Sequence, residues 1–567
     1  GQSKPPAKPV VLIYLQKKNG GDFYMNMTGA QSMVRCLEEE DVSHIFGYPG
    51  ATICPFYEAL YHSESIQHIL VRQEQSAAHM ASGYARITGK AGVCVVTSGP
   101  GATNLITGIA TAYMDSIPLV AITGQVQSYL LGRDIFQEVD ITGAVSPFIK
   151  HTYLIKKASD IPRIFKEAFH IATTGRPGPV LIDVPIDIQE AEINFSYPEE
   201  VNIRGYKPTV NGNLKQLKKV VGTIAAAERP LICVGGGAFC AKAQEQVRQL
   251  CEETKIPMVT TMMGLGVLPT SHPLNIGMIG SFGHKTANMA LSQTDLLILV
   301  GARVGDRAIT APEKISSQSK TIHIDIDPAE IGKNVSPTVP LVGDLRAVLE
   351  SLLAEHPLSN CVQWSEYLQQ EAAAEKATMP DPRPDTIQPK RLMAEIGKQI
   401  TADACVVADV GQNQIWAAKY LPMRQGRFLT TGGLGTMGYA LPAAIGVKIA
   451  QPEKQTIVVC GDGAFQMTNN ELSTMVEQGC DVKIVLLNNR TLGMVCELQR
   501  ISKRHKFAVA LPDTPDFGKL ADAFGVKSRR ISQDADMAEA IAEMLAYDGP
   551  YLLECIVSEA ENSKVNM

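Results

Sequence analysis

Two apolar runs in the last third of the sequence end in residues that suit a cation and a phosphate group. The first run ends in the motif GDG at 461–463, the next ends in NN at 488–489, and 24 residues lie between the two motifs. Because neighbouring parallel strands end at one edge of a sheet, we expect the side-chain oxygens of Asp462 and Asn489 to converge. Carboxylate and amide oxygens are ligands that Mg²⁺ prefers, and the glycines let backbone N–H groups approach a diphosphate.

This pair of motifs resembles the thiamine diphosphate motif of thiamine-dependent enzymes. The resemblance implies that Asp462, the Asn489 side chain and the backbone carbonyl of Thr491 bind Mg²⁺. The alternative is two ordinary strand-to-helix turns built from small residues. GDG alone often matches by chance, but NN at this spacing favours the cation site.

A glutamate in the first third of the sequence suits the other end of such a cofactor. Glu74 follows a short apolar run and opens the stretch EQSAAHMASGYAR. Thiamine chemistry needs a carboxyl group at the pyrimidine nitrogen remote from the amino group, where its hydrogen bond stabilises the imino tautomer that deprotonates the thiazolium ring. By its setting Glu74 matches the activating glutamate of the superfamily, and the alternative is an ordinary surface glutamate.

The elements that must position these residues form three similar segments. In each, apolar runs of four to eight residues alternate with longer stretches of helical periodicity, a pattern typical of parallel strands buried on both faces. The sequence therefore predicts an α/β protein with three doubly wound parallel-sheet domains. We expect a leader or an added tail at 1–24, a pyrimidine-binding domain at 25–190, a central Rossmann-like domain at 191–371, a linker at 372–389 and a diphosphate-binding domain at 390–567.

Composition excludes several other classes of protein. The 567 residues are 45% hydrophobic, and 52 Lys and Arg against 58 Asp and Glu give a net charge of −6, which argues against nucleic-acid partners. No apolar run approaches the roughly 18 residues that span a membrane, and the N-terminus lacks a secretory signal. The twelve cysteines form no CxxC pair, so we expect reduced, mostly buried thiols in a cytoplasmic protein.

Taken together, the motifs from about 28 to 561 resemble those of acetohydroxyacid (acetolactate) synthase large subunits. The matching stretches include GYPG at 47–50, TSGPGATN at 97–104, FQE at 136–138, VGQN at 410–413 and GGLGTMG at 432–438. In that family thiamine diphosphate decarboxylates pyruvate, and the resulting hydroxyethyl carbanion adds to a second 2-keto acid. Two pyruvates give 2-acetolactate, whereas 2-ketobutyrate as acceptor gives 2-aceto-2-hydroxybutyrate. The resemblance implies a role in branched-chain amino acid biosynthesis or an acetoin pathway.

The resemblance also assigns site residues. Glu74 and Gln137 are the catalytic candidates, and the substrate-pocket candidates are Phe136, Lys150 and Leu498. The Met437 side chain is expected to wedge the cofactor into its bent form. The positions expected to contact thiamine diphosphate are Gly50, Pro100, Asn104, Val410, Gly411, Gln412, Asn413, Gly435, Met437, Gly461, Gly463, Ala464, Gly493 and Met494.

The central segment carries a glycine-rich turn after one apolar run and acidic residues at the end of a later run, which suit a dinucleotide. In the family this segment binds FAD, which takes no net part in the carboligation. The family's run of Arg, Phe, Asp, Asp and Arg appears here as RVGDR at 303–307, so a spacer that binds nothing is the alternative. The FAD candidates are Gly236, Gly237, Thr261, Met262, Met263, Gly280, Gly301, Arg303, Asp306, Arg307, Asp325, Ile326, Gly343 and Asp344.

Three departures from the family pattern concern the reacting centre. Ala51 replaces a glycine, Asn413 replaces a common histidine, and Leu498 stands where biosynthetic members commonly have a tryptophan. Loss of that large ring removes apolar contact with the extra methyl group of 2-ketobutyrate, so we expect a weaker preference for it over pyruvate. The resemblance further implies a homodimer or tetramer and leaves room for a small regulatory subunit.

Three other functions remain open on the sequence alone. The nearest is another thiamine enzyme, such as a pyruvate oxidase, an oxalyl-CoA decarboxylase or a sulfoacetaldehyde acetyltransferase. A flavin dehydrogenase would use the glycine turns but leaves Glu74 and the GDG–NN pair without a role. A non-catalytic partner protein is disfavoured because Glu74, Asp462 and Asn489 are all intact.

Overall fold

In this computed structural model, the chain is described at residues 15–17 and 23–563, with side chains from residue 26 onward. It divides into two compact units, Gly1–Lys207 and Pro208–Met567, which are described one at a time. Among the described helices, none has both the length and the apolar character needed to cross a bilayer.

The first unit is built on a six-stranded sheet whose strand pairs are all parallel. The strands of the unit, in chain order, are β1 (Leu15–Lys17), β2 (Phe23–Thr28), β3 (His44–Tyr48), β4 (Gln67–Leu70), β5 (Gly92–Val96), β6 (Leu119–Gln125), β7 (His151–Leu154), β8 (Pro179–Pro185) and β9 (Glu192–Phe195). The large sheet has the order β4-β3-β5-β6-β8-β7. Strands β5, β6 and β8 are buried along their whole length, because helices cover both faces of the sheet.

The helices of this unit follow the expected alternation with strands. They are α1 (Gly29–Glu39), α2 (Cys54–Tyr61), α3 (Glu74–Thr88), α4 (Pro100–Met114), α5 (Ile141–Val145), α6 (Ile161–Thr173) and α7 (Ile186–Glu190). Helix α3 begins where the Gln73 side chain accepts from the N–H of Ser76, and it ends at Gly89 in the left-handed conformation. Helix α4 begins with proline directly after the glycine-rich turn that follows β5.

A small antiparallel sheet, β1-β2-β9, corrects the boundaries predicted for the first domain. Strand β9 pairs with β2, so the domain continues beyond the end predicted at residue 190. Strand β1 pairs with β2, so residues 15–17 and 23–24 of the expected leader belong to this sheet. The rest of that expected leader, residues 1–14 and 18–22, lies outside the described residues.

The second unit contains two more six-stranded parallel sheets. The strands of the first are β10 (Pro230–Val234), β11 (Met258–Thr260), β12 (Asn275–Met278), β13 (Leu296–Val300), β14 (Lys320–Asp325) and β15 (Val339–Val342), in the order β12-β11-β10-β13-β14-β15. The strands of the second are β16 (Cys405–Ala408), β17 (Arg427–Leu429), β18 (Thr456–Gly461), β19 (Val482–Asn488), β20 (Lys527–Ile531) and β21 (Tyr551–Ile556), in the order β17-β16-β18-β19-β21-β20. The fold class is therefore α/β with three parallel sheets, as predicted.

Helices flank these two sheets as well. They are α8 (Leu214–Ala225), α9 (Gly237–Cys240), α10 (Gln244–Thr254), α11 (Lys285–Gln293), α12 (Pro312–Gln318), α13 (Leu345–Ala354), α14 (Val362–Ala377), α15 (Pro389–Gln399), α16 (Gln412–Tyr420), α17 (Ala440–Ala450), α18 (Asp462–Thr468), α19 (Leu472–Glu477), α20 (Gly493–Ile501), α21 (Phe517–Ala523) and α22 (Met537–Ala546). Helix α14 continues to Ala377, so part of the linker predicted at 372–389 is helical.

Candidate active site

Glu74 lies at the carboxyl edge of the first sheet, where strand β4 leads into helix α3. Its Oε2 atom accepts a hydrogen bond from the Asn104 side-chain nitrogen at 2.8 Å. A Cβ atom added at Gly101 would lie 3.5 Å from Glu74 Oε1, so helix α4 approaches the carboxylate closely. The structure therefore brings together two predicted site residues, Glu74 and Asn104, that sit on different helices.

The neighbouring turns are held together by close backbone packing. A Cβ atom added at Gly50 would lie 2.5 Å from Thr97, which joins the turns after β3 and β5. Gly99 has a φ of +59°, and a Cβ atom there would lie 2.9 Å from Gln137 Cβ. Gln137 itself has a φ of +61°, which is unusual for a residue other than glycine. Gly50, Gly99 and Gln137 thus share the edge of the sheet that carries Glu74.

Lys150 lies at the opposite edge of this sheet. It immediately precedes β7, and its ammonium group donates to the carbonyl oxygens of Ile171 and Thr174, the latter at 2.9 Å, and to the Tyr206 hydroxyl at 3.1 Å. The charge therefore caps the carboxyl end of helix α6, which is a favourable place for a cation. Within this unit Lys150 and Glu74 lie at opposite edges of the sheet, and the assignment of Lys150 to a substrate channel stays a prediction.

Asp462 and Asn489 follow two neighbouring strands of the third sheet, as predicted. Strands β18 and β19 pair in parallel, Asp462 opens helix α18, and Asn489 comes directly after β19. Asp462 is 2% exposed; its Oδ1 accepts from the Gly463 N–H at 3.0 Å, and its Oδ2 has no hydrogen-bond partner within the described residues. Burial raises the pKa of Asp462 to about 6, against the opposing effect of nearby backbone N–H groups.

A buried carboxylate oxygen without a partner is costly unless a cation or donor joins it, so the site fits Mg²⁺. Asn489 supplies a second oxygen, whose present partner is the N–H of Thr491 at 3.2 Å. The turn is closed by a hydrogen bond from the Thr491 hydroxyl to the carbonyl of Val509 at 2.9 Å. No group of three His, Cys, Asp or Glu suited to a metal occurs in the described chain, and this ligand set of one carboxylate, an amide and backbone oxygens does not require one.

The turn after β17 approaches the same edge. Gly435 has a φ of +74° with open space around its Cβ position, and Met437 Cε lies 3.6 Å from the Cβ position of Gly463. Asp409, 1% exposed at the end of β16, holds this turn because its carboxylate accepts from the N–H groups of Gly438 at 2.9 Å and Ala440 at 2.8 Å. Burial raises the pKa of Asp409 to about 6, and these N–H groups oppose the rise.

Comparison with known proteins agrees with this geometry. Three family models match in order: the N-terminal TPP binding domain of thiamine pyrophosphate enzymes at 27–144, their central domain at 217–352 and their C-terminal TPP binding domain at 409–555. A probable acetolactate synthase large subunit of Methanococcus aeolicus is 44% identical, covering 93% of this chain and 92% of its own. The isozyme 3 large subunit of acetolactate synthase from Escherichia coli is 42% identical, covering 92% of each chain.

The chain belongs to the acetolactate synthase large-subunit family of thiamine pyrophosphate enzymes. The two TPP binding domains of this family are the ones that carry Glu74 and Asp462. Thiamine diphosphate is therefore the cofactor of the fold, and the edges that hold these two residues are its candidate binding surfaces.

In the central domain of this acetolactate synthase family member, the FAD candidates all lie at the carboxyl edge of the β10–β15 sheet. Gly236 and Met263 approach each other, since a Cβ atom at Gly236 would lie 3.2 Å from Met263 Cβ. Gly301 and Gly237 are in backbone contact, so close packing alone accounts for the absence of a side chain at both positions. Asp344 is used as a helix cap, because its carboxylate accepts from the Ala347 N–H at 3.1 Å. Asp306 and Arg307 are exposed, at 89% and 75% of their side chains.

Several residues that hydrogen-bond to predicted site residues or their turns belong to no recognised motif and were not predicted. Asp409 is one, although an acid between a buried strand and a glycine turn is a usable signal. Glu497 on helix α20 and Ser563 near the carboxyl end are two more, and the Glu497 carboxylate accepts hydrogen bonds from both Gln412 and Ser563. The predicted site residue Asn413 donates from its side-chain nitrogen to the backbone carbonyls of Asp409 at 2.7 Å and Val459 at 3.1 Å.

Proposed function

We propose that this chain is the catalytic subunit of an acetolactate synthase, which joins two pyruvate molecules into 2-acetolactate with release of CO₂. The observation that carries the proposal is the full-length relatedness to acetolactate synthases, at 44% identity over 92% of one relative. The geometry supports it because Glu74, Asp462 and Asn489 all lie at the carboxyl edges of the parallel sheets in the two TPP binding domains.

The residues of the third sheet hold the charged end of the cofactor. Asp462, Asn489 and the carbonyl of Thr491 bind Mg²⁺, and the glycine turns at 411, 461 and 463 present backbone N–H groups to the diphosphate. Gly435 and Met437 would contact the aminopyrimidine, and no protein atom lies within 4 Å of the Cβ position of Gly435. When bound, thiamine diphosphate supplies the electron sink for the decarboxylation of pyruvate.

Glu74 holds the proton that activates the cofactor. Asn104 occupies Oε2, so Oε1 is the oxygen that we assign to the pyrimidine nitrogen. The Asn104 amide fixes the carboxyl plane and thereby the direction of that hydrogen bond. Gln137 and Phe136 lie after β6 on the same edge, and we propose that they contact the 2-keto acid. Leu498, 45% exposed on α20, contacts the acceptor.

We further propose that the protein is a homodimer or a pair of dimers, because the resemblance implies that two copies complete each cofactor site. Several relatives are named as large subunits, which favours a small regulatory partner. The twelve cysteines of the described chain are thiols, and thiols fit a reducing compartment such as the cytoplasm.

We also propose that the central domain binds FAD, held by the glycine turns after β10 and β13 and by the acid Asp325 at the end of β14. The support is their shared edge and the close approach of Gly236 and Met263. The absorbance spectrum of the purified protein tests this part: flavin bands support it, and their absence after reconstitution with FAD contradicts it.

The activity itself is tested by incubating the protein with pyruvate, Mg²⁺ and thiamine diphosphate and measuring acetolactate after its conversion by acid to acetoin. We expect product without an external electron acceptor. Asp462→Asn serves as the matched negative variant, since it keeps the shape of the side chain but removes the charge that binds the cation. Turnover that requires an electron acceptor would indicate an oxidase instead, and no acetoin under any condition would reject the proposal.

A further inference from the structure

We propose that Glu497 is a positioning residue that fixes the orientation of two side-chain amides, Gln412 and Asn489, and so turns the Asn489 oxygen toward the cation. The proposal rests on the proposed function, because it assumes that Asn489 binds Mg²⁺. Neither Glu497 nor its partner Ser563 belongs to the recognised motifs of the sequence.

Glu497 is a buried carboxylate whose Oε2 atom accepts from two described residues, Gln412 and Ser563. It is 2% exposed, and its Oε2 accepts from Gln412 Nε2 at 2.9 Å, from the Ser563 N–H at 2.9 Å and from the Ser563 hydroxyl at 2.8 Å. An ionised carboxylate only accepts hydrogen bonds. The group of Gln412 that faces it must therefore be the NH₂ group and not the carbonyl oxygen.

The same choice is enforced from a second side. Gln412 Nε2 also donates to the backbone carbonyl of Glu561 at 3.0 Å, and a carbonyl is again an acceptor only. With its nitrogen committed to two acceptors, Gln412 presents Oε1 in the other direction. That oxygen accepts from Asn489 Nδ2 at 3.3 Å.

The orientation of Asn489 follows from that of Gln412. Because the Asn489 nitrogen faces Gln412, its Oδ1 faces the turn, where it accepts from the Thr491 N–H at 3.2 Å and keeps a second lone pair for a cation. If Gln412 were flipped, its Oε1 atom would face the acceptor oxygens of Glu497 and Glu561. Its NH₂ group would then face the NH₂ group of Asn489, unless Asn489 flipped as well and presented its nitrogen to the cation. The carboxylate of Glu497 therefore sets the polarity of the whole chain of bonds.

The chain of bonds requires a glycine at the start of helix α20. A Cβ atom at Gly493 would lie 2.1 Å from Gln412 Oε1 and 2.7 Å from Asn489 Nδ2. The two amides thus meet in the space that a side chain at residue 493 would fill.

A purely structural role for Glu497 predicts something different. Ser563 donates to Glu497, and the carbonyl of Glu561 accepts from Gln412. Trp416 Nε1 donates to the carbonyl of Asn562 at 3.3 Å. If Glu497 only anchors this segment, its substitution changes the fluorescence of Trp416 but affects cation binding no more than the substitution Ser563→Ala does.

The test measures Mn²⁺ binding by electron paramagnetic resonance, in the full-length protein with thiamine diphosphate present. We expect Glu497→Gln to raise the Kd for Mn²⁺ about tenfold, as loss of a group that orients a metal ligand typically does. The neutral amide presents either an oxygen or an NH₂ group to Gln412, so the polarity is no longer fixed.

Glu497→Asp, whose carboxylate is too short to reach Gln412, is expected to weaken binding as well and guards against misfolding of the first variant. The matched control is Glu453→Gln, at an exposed glutamate in the turn before β18.

A double-mutant cycle identifies the route of the effect. In the Asn489→Ala background, Glu497→Gln is expected to change the Kd by less than about twofold, because the amide that it orients is gone. A Kd for Glu497→Gln equal to that of the unmodified protein, the same tenfold loss without Asn489, or an equal loss in Ser563→Ala would each overturn the proposal. Failure of the unmodified protein to bind Mn²⁺ with thiamine diphosphate would instead contradict the proposed function.

Discussion

Asn104 donates a hydrogen bond from its side-chain nitrogen to Glu74 Oε2 across 2.8 Å, although 30 residues separate the two in sequence. Helices α3 and α4 start at the ends of different strands, and their first turns meet at the edge of the sheet. The amide leaves one carboxylate oxygen available and fixes the plane in which it points. A proton donor for a heterocyclic nitrogen needs this kind of fixed direction.

The first prediction concerns the acid itself. Glu74→Gln keeps the bond to Asn104, because the amide oxygen still accepts, but it removes the exchangeable carboxyl proton. We expect kcat to fall by about 100-fold or more, in line with loss of a general acid–base group. Steady-state acetolactate formation measures the change, and circular dichroism checks the fold. Glu64→Gln, at an exposed glutamate in the same unit, is the control and should retain full turnover.

The second prediction concerns the contact between Gly99 and Gln137. Gly99→Ala places a methyl group 2.9 Å from Gln137 Cβ at a φ of +59° and ψ of −120°, so the Gln137 loop must shift. We expect kcat/KM for pyruvate to fall by about tenfold to 100-fold while the affinity for thiamine diphosphate stays unchanged. Gly205→Ala has a comparable positive φ with open space, so it tests backbone strain alone. Equal losses in the two variants would contradict a specific role for the Gln137 contact.

The architecture could be predicted because buried parallel strands leave a clear trace in the sequence. Strand β6 is an example: every residue of Leu119–Gln125 is buried, and all of them except the last, Gln125, are apolar or small. The antiparallel sheet β1-β2-β9 was missed because its short strands carry mixed polar and apolar residues. The end of the first domain was consequently predicted too early.

The candidate site was predictable where a motif coincides with a strand end, as at Asp462 and Asn489. Lys150 lies just before a strand and therefore at the amino edge of its sheet, so its assignment to a substrate channel rests on the resemblance and stays a prediction. Glu497 and Ser563 were not predictable for a different reason. A glutamate within a helix and a serine near the carboxyl end have no local pattern, and only the tertiary fold brings Gln412 and Ser563 to the Glu497 carboxylate.

The third prediction concerns Gly493, where the backbone is helical and a side chain is excluded by contacts alone. Gly493→Ala drives a methyl group into Gln412 Oε1, whose distance from the Cβ position is 2.1 Å. We expect the affinity for thiamine diphosphate with Mg²⁺ to fall by at least about tenfold, measured by quenching of tryptophan fluorescence. Gly222→Ala in helix α8 meets no atom within 4 Å and serves as the control. Unchanged cofactor affinity in Gly493→Ala would show that the two amides move apart freely.

The fourth prediction concerns pH and the buried acid Asp183. Its carboxylate accepts from the Thr123 hydroxyl at 2.7 Å and from Gln125 Nε2 at 2.9 Å, and burial raises its pKa to about 7. An aspartate in an unfolded chain titrates near pH 4. Between these two values the folded state binds more protons than the unfolded state, so the contribution of Asp183 to the free energy of unfolding is largest at low pH and decreases as the pH rises to about 7.

Comparison with the variant Asp183→Asn isolates this contribution. From pH 5 to pH 8, the unmodified protein should lose about 3 kcal/mol more stability than the variant, which has no carboxyl group to titrate there. Denaturant unfolding at both pH values gives the difference. Asp41→Asn, at an exposed position with positive φ that asparagine tolerates, should show the pH dependence of the unmodified protein. The same pH dependence in Asp183→Asn would mean that Asp183 is already ionised at pH 5.

The fifth prediction concerns the choice of acceptor. Leu498 is 45% exposed on helix α20, so a larger ring can be added there without disturbing the core. Leu498→Trp should increase the preference for 2-ketobutyrate over pyruvate by about tenfold or more, because the indole restores apolar contact with the extra methyl group. Competition between the two acceptors, with both products quantified in one reaction, measures the ratio. Ile501→Trp, equally exposed at the end of the same helix, is the control. If both variants leave the ratio unchanged, Leu498 does not contact the acceptor, and discrimination must arise from other residues of the pocket.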